Sequence, residues 1–310
     1  MTTTPKTTLP EEFSTYTREI MGEQRWTRFA EAMGEEPPVS VRLNPMKFRS
    51  DSMALPAEED EPVEWCREGR YLKERPMFTL DPLLHAGAYY VQEAASMYIT
   101  QVIRDHAPAD RPLMVLDLCA APGGKSTAMR SVLPEGSLLM TNEPMRPRAN
   151  ILMENIQKFG HPDVIVTNNY AIDYQRSRLQ FDVILADVPC SGEGMFRKDE
   201  GAIREWSVAN VKKCAALQRE IITDIMPCLR DGGLLVYSTC TYNRQEDEEN
   251  VDFICSEWQM EKLSERHFIP GETRSEGLYM AALRQTGSDA SQQTTISMLD
   301  TSTTKKDKKQ

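Results

Sequence analysis

Residues 113–130 read LMVLDLCAAPGGKSTAMR. The apolar run Leu113–Leu118 has the length and composition of a buried strand, and a helix is expected directly after GGKST. Between them, Gly123 and Gly124 let the backbone come close to a ligand, and the amino terminus of the following helix favours a carboxylate or phosphate. A phosphate-binding P-loop would need glycine at 119, where the chain has Cys119, and the dinucleotide pattern GxGxxG is absent. What remains is a glycine-rich strand-to-helix turn followed by an acidic residue at the end of the next strand. Glu143, closing LLMTNE, is placed to accept hydrogen bonds from a ribose diol.

Outward from this turn the same alternation continues. Leu138–Thr141, Val164–Thr167, Val183–Ala186 and Leu234–Tyr237 read as further strands. A helix with Leu152, Ile156 and Phe159 on one face is stopped by Gly160, and a long helix is expected over residues 208–229. Gly232 and Gly233 turn the chain into the last of these strands. Short strands alternating with helices predict an α/β fold, Rossmann-like, with a mostly parallel sheet and helices on both faces. In such sheets ligands bind beyond the carboxyl ends of the strands. Residues 51–62, DSMALPAEEDEP, are expected to be a loop. The chain divides into an N-terminal α+β segment (1–100), a main domain (101–285) and a disordered tail (286–310) rich in Ser, Thr, Gln and Asp.

The bulk composition of the 310 residues excludes several classes. No run approaches the ~20 apolar residues of a membrane span, and MTTTPKTTLPEE has neither the basic nor the apolar region of a secretory signal. Seven scattered cysteines make no disulfide framework, so a reducing cytoplasm is expected. There is no CxxC and the four histidines are dispersed, so no metal is expected. A net charge of −11 argues against bulk electrostatic attraction to nucleic acid, although Arg42 with Lys47, Arg146 with Arg148, and Arg197 with Lys198 form local basic groups.

Three motifs, DLCAAPGGKS, DVPCSGEGMFRKD and LLVYSTCTYNRQEDEENV, together resemble the Nop/Sun family of RNA cytosine-5 methyltransferases, in particular its bacterial RsmF-type 16S ribosomal RNA branch. The resemblance runs from about Leu9 to about Arg284 and takes in LPEEF, PVSVRLNP and FTLDPLLHAGAYYVQEAASM. It implies a class I S-adenosylmethionine-dependent methyltransferase domain with a smaller N-terminal RNA-binding domain. By resemblance, Cys119, Ala120, Ala121, Pro122, Gly123, Gly124 and Lys125 form the S-adenosyl-L-methionine loop, Glu143 holds the ribose with Arg148 nearby, and Asp187 sits near methyl donor and base. After the third strand many relatives carry an aspartate near the adenine. This chain reads VTNNYAID, which leaves Asn168 as the candidate and Asp173 as a second.

The implied chemistry needs a thiolate, because carbon 5 of cytosine is too weak a nucleophile to take a methyl group until a thiolate has added to carbon 6. It also needs an acid near the ring nitrogen, the place of Asp187 if burial keeps it protonated, with Lys125 adding positive charge. Enzymes acting on DNA use a Pro-Cys cysteine, here Cys190. The RNA family uses the Thr-Cys cysteine, here Cys240, as nucleophile, and the Pro-Cys cysteine for product release. A Cys190–Cys240 disulfide is conceivable if the two meet in space. Cys66, Cys214, Cys228 and Cys255 are expected to be buried hydrophobes.

Around these motifs, SGEGMFRKDE reads either as a mobile loop with Arg197 and Lys198 for phosphate contact or, equally, as a merely structural loop. One of Tyr89 and Tyr90 is expected in the core, the other being free to stack on a base. The acidic run QEDEEN is explained by the dipole of the helix it opens. The KKDKK tail reads either as loose affinity for RNA or as a solubility feature. The expected protein is a cytoplasmic monomer, away from membranes, acting on ribosomal RNA of the small subunit. The alternatives are a transfer RNA methyltransferase and a non-catalytic ribosome-assembly factor. Relatives of this type commonly carry a further carboxyl-terminal RNA-binding domain, whereas here the sequence ends soon after SEGLYMAALRQ, so substrate choice is expected to differ or a partner to supply that surface.

Overall fold

The computed structural model describes residues 9–286, so the tail expected over 286–310 falls, beyond its first residue, outside the described residues. Helices α1 (Glu11–Met21) and α2 (Glu23–Ala32) turn on each other at Gly22. Four strands follow, β1 (Val39–Leu43), β2 (Glu59–Pro62), β3 (Gly69–Leu72) and, after the one-turn helix α3 (Pro82–His85), β4 (Tyr89–Val91). They form an antiparallel sheet in the order β2-β3-β1-β4. The stretch 51–62, expected as a loop, ends in the edge strand β2, exposed at every position. Its charges and proline discourage further pairing there.

Helix α4 (Ile99–His106) leads into the second sheet. Its elements are β5 (Met114–Asp117), α5 (Gly124–Arg130), β6 (Leu138–Asn142), α6 (Arg146–Phe159), β7 (Val164–Thr167), α7 (Ala171–Ser177) and β8 (Phe181–Asp187). Then come α8 (Glu200–Glu205), α9 (Val208–Ile225), β9 (Leu229–Thr239), α10 (Glu248–Trp258), β10 (Met260–Phe268) and β11 (Leu278–Gln285). The strand order is β10-β11-β9-β8-β5-β6-β7. Only β11 runs against its neighbours, so the sheet is the mostly parallel α/β sheet expected. The order reverses at β5, with β6 and β7 on one side and β8 and β9 on the other, and a crevice opens there at the carboxyl ends.

Successive strand residues point to opposite layers. Val115, Leu139, Val183 and Val236 face α4 and α5, while Leu116, Met140, Ile184 and Leu235 face Ile222 and Ile225 of α9 and Val251 and Ile254 of α10. Burial on both faces explains why the strands read as continuous apolar runs instead of alternating ones. The helix expected to reach residue 229 ends at Ile225, because Pro227 sits in a 3₁₀ turn and cannot donate to the helical ladder. Leu229 already pairs with Phe181, and pairing resumes at Leu234 with Val183, so Gly232 and Gly233 lie in a bulge within β9.

The N-terminal helices do not have a core of their own. Phe13 and Phe29 pack with Phe196, Trp206 and Tyr242, side chains that flank the two motif cysteines. The Phe13 ring lies 4.9 Å from Phe196 and 5.5 Å from Trp206, both edge-on.

Candidate active site

Four strand ends and the loops after them converge on one cleft of about 520 Å³, lined among others by Tyr90, Cys119, Lys125, Asp187, Cys190 and Cys240. The turn after β5 brings the backbone into the cleft. Gly123 adopts φ 109°, a left-handed conformation that favours glycine, and a β-carbon there would meet Leu152 of α6 at 3.1 Å. Cys119, Ala120, Ala121, Pro122, Gly124 and Lys125 all line the cleft, whereas Gly123 shapes the turn from behind. Burial pushes the Cys119 thiol well up.

Two carboxylates at strand ends carry oxygens with no hydrogen-bond partner despite burial. Glu143 accepts from the Met145 amide through Oε1 at 2.9 Å, while Oε2 is unpartnered and 3.5 Å from Arg148 Nη2. Asp117, which sequence reasoning passed over, accepts from Ser126 Oγ at 2.6 Å through Oδ2 and leaves Oδ1 unpartnered beside the cleft. Burial raises its pKa to about 7 against the opposing Ser126 hydrogen bond. A buried orphan acceptor is costly unless a ligand donor completes it. These two oxygens therefore fit a ligand that presents donors, such as ribose hydroxyls and an ammonium group. Asn168 braces the turn: its amide donates to the Glu143 and Pro144 carbonyls at 2.7 and 2.9 Å. Asp173 accepts from the Tyr170 amide at 3.1 Å at the start of α7.

Asp187, ending β8, accepts from Lys125 Nζ at 2.8 Å and from Ser238 Oγ at 2.6 Å. Asp187 thus sits between a cation and a hydroxyl at the end of its strand. Lys125 is held above its usual pKa, because the Asp187 charge and hydrogen bond outweigh the opposing burial. The two cysteines do meet. Their sulfurs lie 3.0 Å apart, unbonded, and the Cys240 amide points at Cys190 Sγ at 3.4 Å. The contact with Cys240, reinforced by burial, pushes the Cys190 thiol well above its usual pKa.

A buried polar network sets the cysteine loops. Glu246 Oε2 accepts from the Ser191 amide at 3.0 Å and from Gln218 Nε2 at 2.7 Å, and Oε1 accepts from Asn243 at 2.8 Å. Gln218 also donates to the Pro189 carbonyl at 2.9 Å, so one carboxylate and one amide of α9 grip both loops. Asp247 Oδ1 accepts from Thr239 and Thr241, the residues on either side of Cys240, at 2.5 and 2.9 Å. The explanation of QEDEEN by helix dipole alone is therefore corrected: Glu246 and Asp247 are wholly buried and hold the active loops. His267 pairs with Glu248 at 3.1 Å and, with Asp247, forms a three-residue cluster that the dispersed histidines of the sequence did not suggest.

For SGEGMFRKDE the structure takes the structural alternative. The SGEGM loop is pinned: the Gly194 amide donates to the Cys240 carbonyl at 2.8 Å, and buried Glu193 accepts from the Tyr242 amide at 2.8 Å and from Trp206 Nε1 at 3.0 Å. Arg197, expected on phosphate, is turned inward onto Glu276 at 3.0 Å and the Ala32 and Ser275 carbonyls. Lys198 lies 3.5 Å from the same carboxylate. Of the tyrosine pair, Tyr89 is buried and bonded to Asp81, while Tyr90 lines the cleft. Cys66 and Cys228 are buried, and Cys214 and Cys255 partly so.

Residues 106–284 match the family model of 16S rRNA methyltransferase RsmB/F, and residues 9–94 match that of the N-terminal domain of 16S rRNA methyltransferase RsmF. The chain belongs to the RsmB/F family. A ribosomal RNA small subunit methyltransferase F from Pectobacterium atrosepticum is 33% identical over 90% of this chain and 63% of its own length. The chain thus spans less than two thirds of the length of the curated relatives of this name that it matches. NSun6 from Pyrococcus horikoshii, crystallised with SFG, shares the fold with a TM-score of 0.78 at 18% identity, covering 90% of this chain and 99% of that one. A methyltransferase homologue from the same organism gives 0.72 at 23%, covering 89% and 100%. No helix among the described residues is long and apolar enough to cross a membrane.

Proposed function

We propose that the chain is an S-adenosylmethionine-dependent RNA methyltransferase that forms 5-methylcytosine in small-subunit ribosomal RNA through a covalent Cys240–cytosine adduct. The observation that carries this is the pair of reduced cysteines, 3.0 Å apart, at the cleft that also holds the Lys125–Asp187 pair and the glycine turn. The relatives' role as small-subunit ribosomal RNA methyltransferases supports the ribosomal substrate. S-adenosylmethionine supplies an electrophilic methyl group. The turn 119–125 would hold it, with the unpartnered oxygen of Asp117 beside the cleft facing its donors. By resemblance, Glu143 with Arg148 beside it would take the ribose and Asn168 the adenine.

Cys240 adds to carbon 6 of the target ring, and the electron pair displaced makes carbon 5 nucleophilic. Lys125 and Asp187 sit where charge develops on the ring, Lys125 as the proton-bearing partner. After transfer, a water in the open cleft takes the proton of carbon 5, the electron pair of that bond restores the 5,6 double bond, and the carbon–sulfur bond breaks with its electrons returning to Cys240. Cys190 stands next to the departing sulfur and can give it a proton, which solvent then returns to Cys190. We further propose that the protein acts in the cytoplasm as a monomer.

The test is transfer of labelled methyl groups to 16S rRNA, 30S subunits and total transfer RNA, with bisulfite mapping of RNA from cells with and without the gene. A 5-methylcytosine in 16S rRNA that disappears with the gene supports the reading. Methylation confined to transfer RNA moves the substrate, and an unchanged map with no transfer in vitro refutes the enzyme.

A further inference from the structure

Arg42 lies on β1 and is among the largest side chains fully buried in the molecule. The sequence suggested a basic surface group with Lys47, but neither side chain is a free surface cation. Lys47 Nζ donates to the Ala86 and Lys158 carbonyls at 3.0 and 2.6 Å. Arg42 Nε donates to Gln92 at 2.8 Å and Nη2 to Thr127 Oγ1 at 2.6 Å, which leaves Nη1 without a hydrogen bond among the described residues. No carboxylate there forms an ion pair with it, and burial pushes its pKa down to about 10. A buried cation with neutral partners is an expensive feature for a fold to keep.

Arg42 also lines a pocket of about 210 Å³ at the seam between the N-terminal sheet and α6. Leu84, Val91, Phe159 and the tyrosines 89 and 90 give it mainly apolar walls, and Lys158 stands exposed at its edge. The seam is tight: the Asn44 amide donates to the Gly87 and Phe159 carbonyls at 2.8 and 3.0 Å, and a β-carbon on Gly87 would collide with the Lys158 carbonyl. Tyr90 and Val91 line this pocket on one side and the cysteine cleft on the other. The two cavities therefore share a wall.

We propose that this pocket receives the base of a nucleotide flanking the target cytosine, with Arg42 donating to an acceptor on its edge. The proposal rests on the reading of the chain as an RNA enzyme. Apolar and aromatic walls suit the faces of a base better than a bare phosphate, and a donor-only guanidinium selects an acceptor-rich edge, that of guanine before adenine or cytosine. Lys158 would take the phosphate of that nucleotide.

The experiment uses short fluorescent single-stranded RNAs with one central cytosine, carrying guanine, adenine or an abasic ribose at the neighbour on either side. The full chain is titrated into each and anisotropy gives Kd, while calorimetry gives S-adenosylmethionine affinity in parallel. Removing the base on one side is expected to weaken binding roughly tenfold or more. Leu84→Trp, which fills the pocket without touching the Arg42 hydrogen bonds, is expected to erase that difference and leave S-adenosylmethionine affinity unchanged. Arg42→Lys is expected to narrow the preference for guanine. Equal affinity for all neighbours in the wild-type protein, or full discrimination retained in Leu84→Trp, overturns the pocket. The readout is binding, so a failure to methylate these RNAs would count against the enzyme reading and leave the pocket result standing.

Discussion

The Cys190 and Cys240 sulfurs are 3.0 Å apart, closer than two non-bonded sulfurs usually pack. Contact at that distance lets the two residues serve one reaction, and substitution separates their roles. Cys240→Ser is expected to abolish methyl transfer and leave no protein–RNA adduct on a denaturing gel. Cys190→Ser is expected to trap the adduct. The opposite pattern would exchange the two roles.

Glu246 is expected to be needed for position and not for chemistry. Glu246→Ala leaves the Ser191 amide, Gln218 and Asn243 with buried unmet donors, at a cost of about 2–4 kcal/mol. Chemical denaturation measures that loss. The signature beyond stability is a fall in kcat with little change in S-adenosylmethionine Kd, since Glu246 lies on the cysteine side of the cleft. A variant that loses stability and cofactor binding together would show that the network supports the whole domain.

Asp117 predicts a pH dependence. Its folded pKa of about 7 lies above the unfolded value of 3.8, so the folded state holds a proton through that interval that the unfolded chain has lost. Stability of the ligand-free protein should therefore fall as pH rises from about 4 to about 7 through this group, and level off above. Asp117→Asn should flatten that slope and raise Tm by a few degrees at pH 8, while weakening S-adenosylmethionine binding. Thermal melts across pH with and without the cofactor check both halves, and an unchanged slope would remove Asp117 as the source.

Glu143→Gln tests the ribose contact. A diol on a buried carboxylate makes charge-assisted hydrogen bonds worth about 1.5–3 kcal/mol each, so Kd for S-adenosylmethionine should rise roughly tenfold or more. The affinity for an analogue lacking both ribose hydroxyls should hardly change. Equal losses for both ligands would place the effect in the folding of the turn that Asn168 braces.

How legible was this in the sequence? The parallel sheet and its crevice were, because strands buried on both faces appear as short apolar runs and the glycine turn breaks them at a fixed place. Both cysteines were legible through their motifs. What was not legible depends on pairing across distance. Glu246 and Ser191 are 55 positions apart and Arg197 and Glu276 are 79, so one looked like a helix-dipole residue and the other like a phosphate ligand. Asp117 was hidden differently. It closes a buried strand, where an acid has no local signal beyond being out of place.

Phe13 and Phe29 complete the wall behind Phe196 and Tyr242, and so behind the Cys190 and Cys240 loops. The first helices in the chain are thus the last course of masonry around chemistry encoded some two hundred positions later. Moving the larger domain onto a different N-terminal partner would need those helices to travel with it. Cutting near residue 100 would strip the aromatic backing from the Cys190 and Cys240 loops.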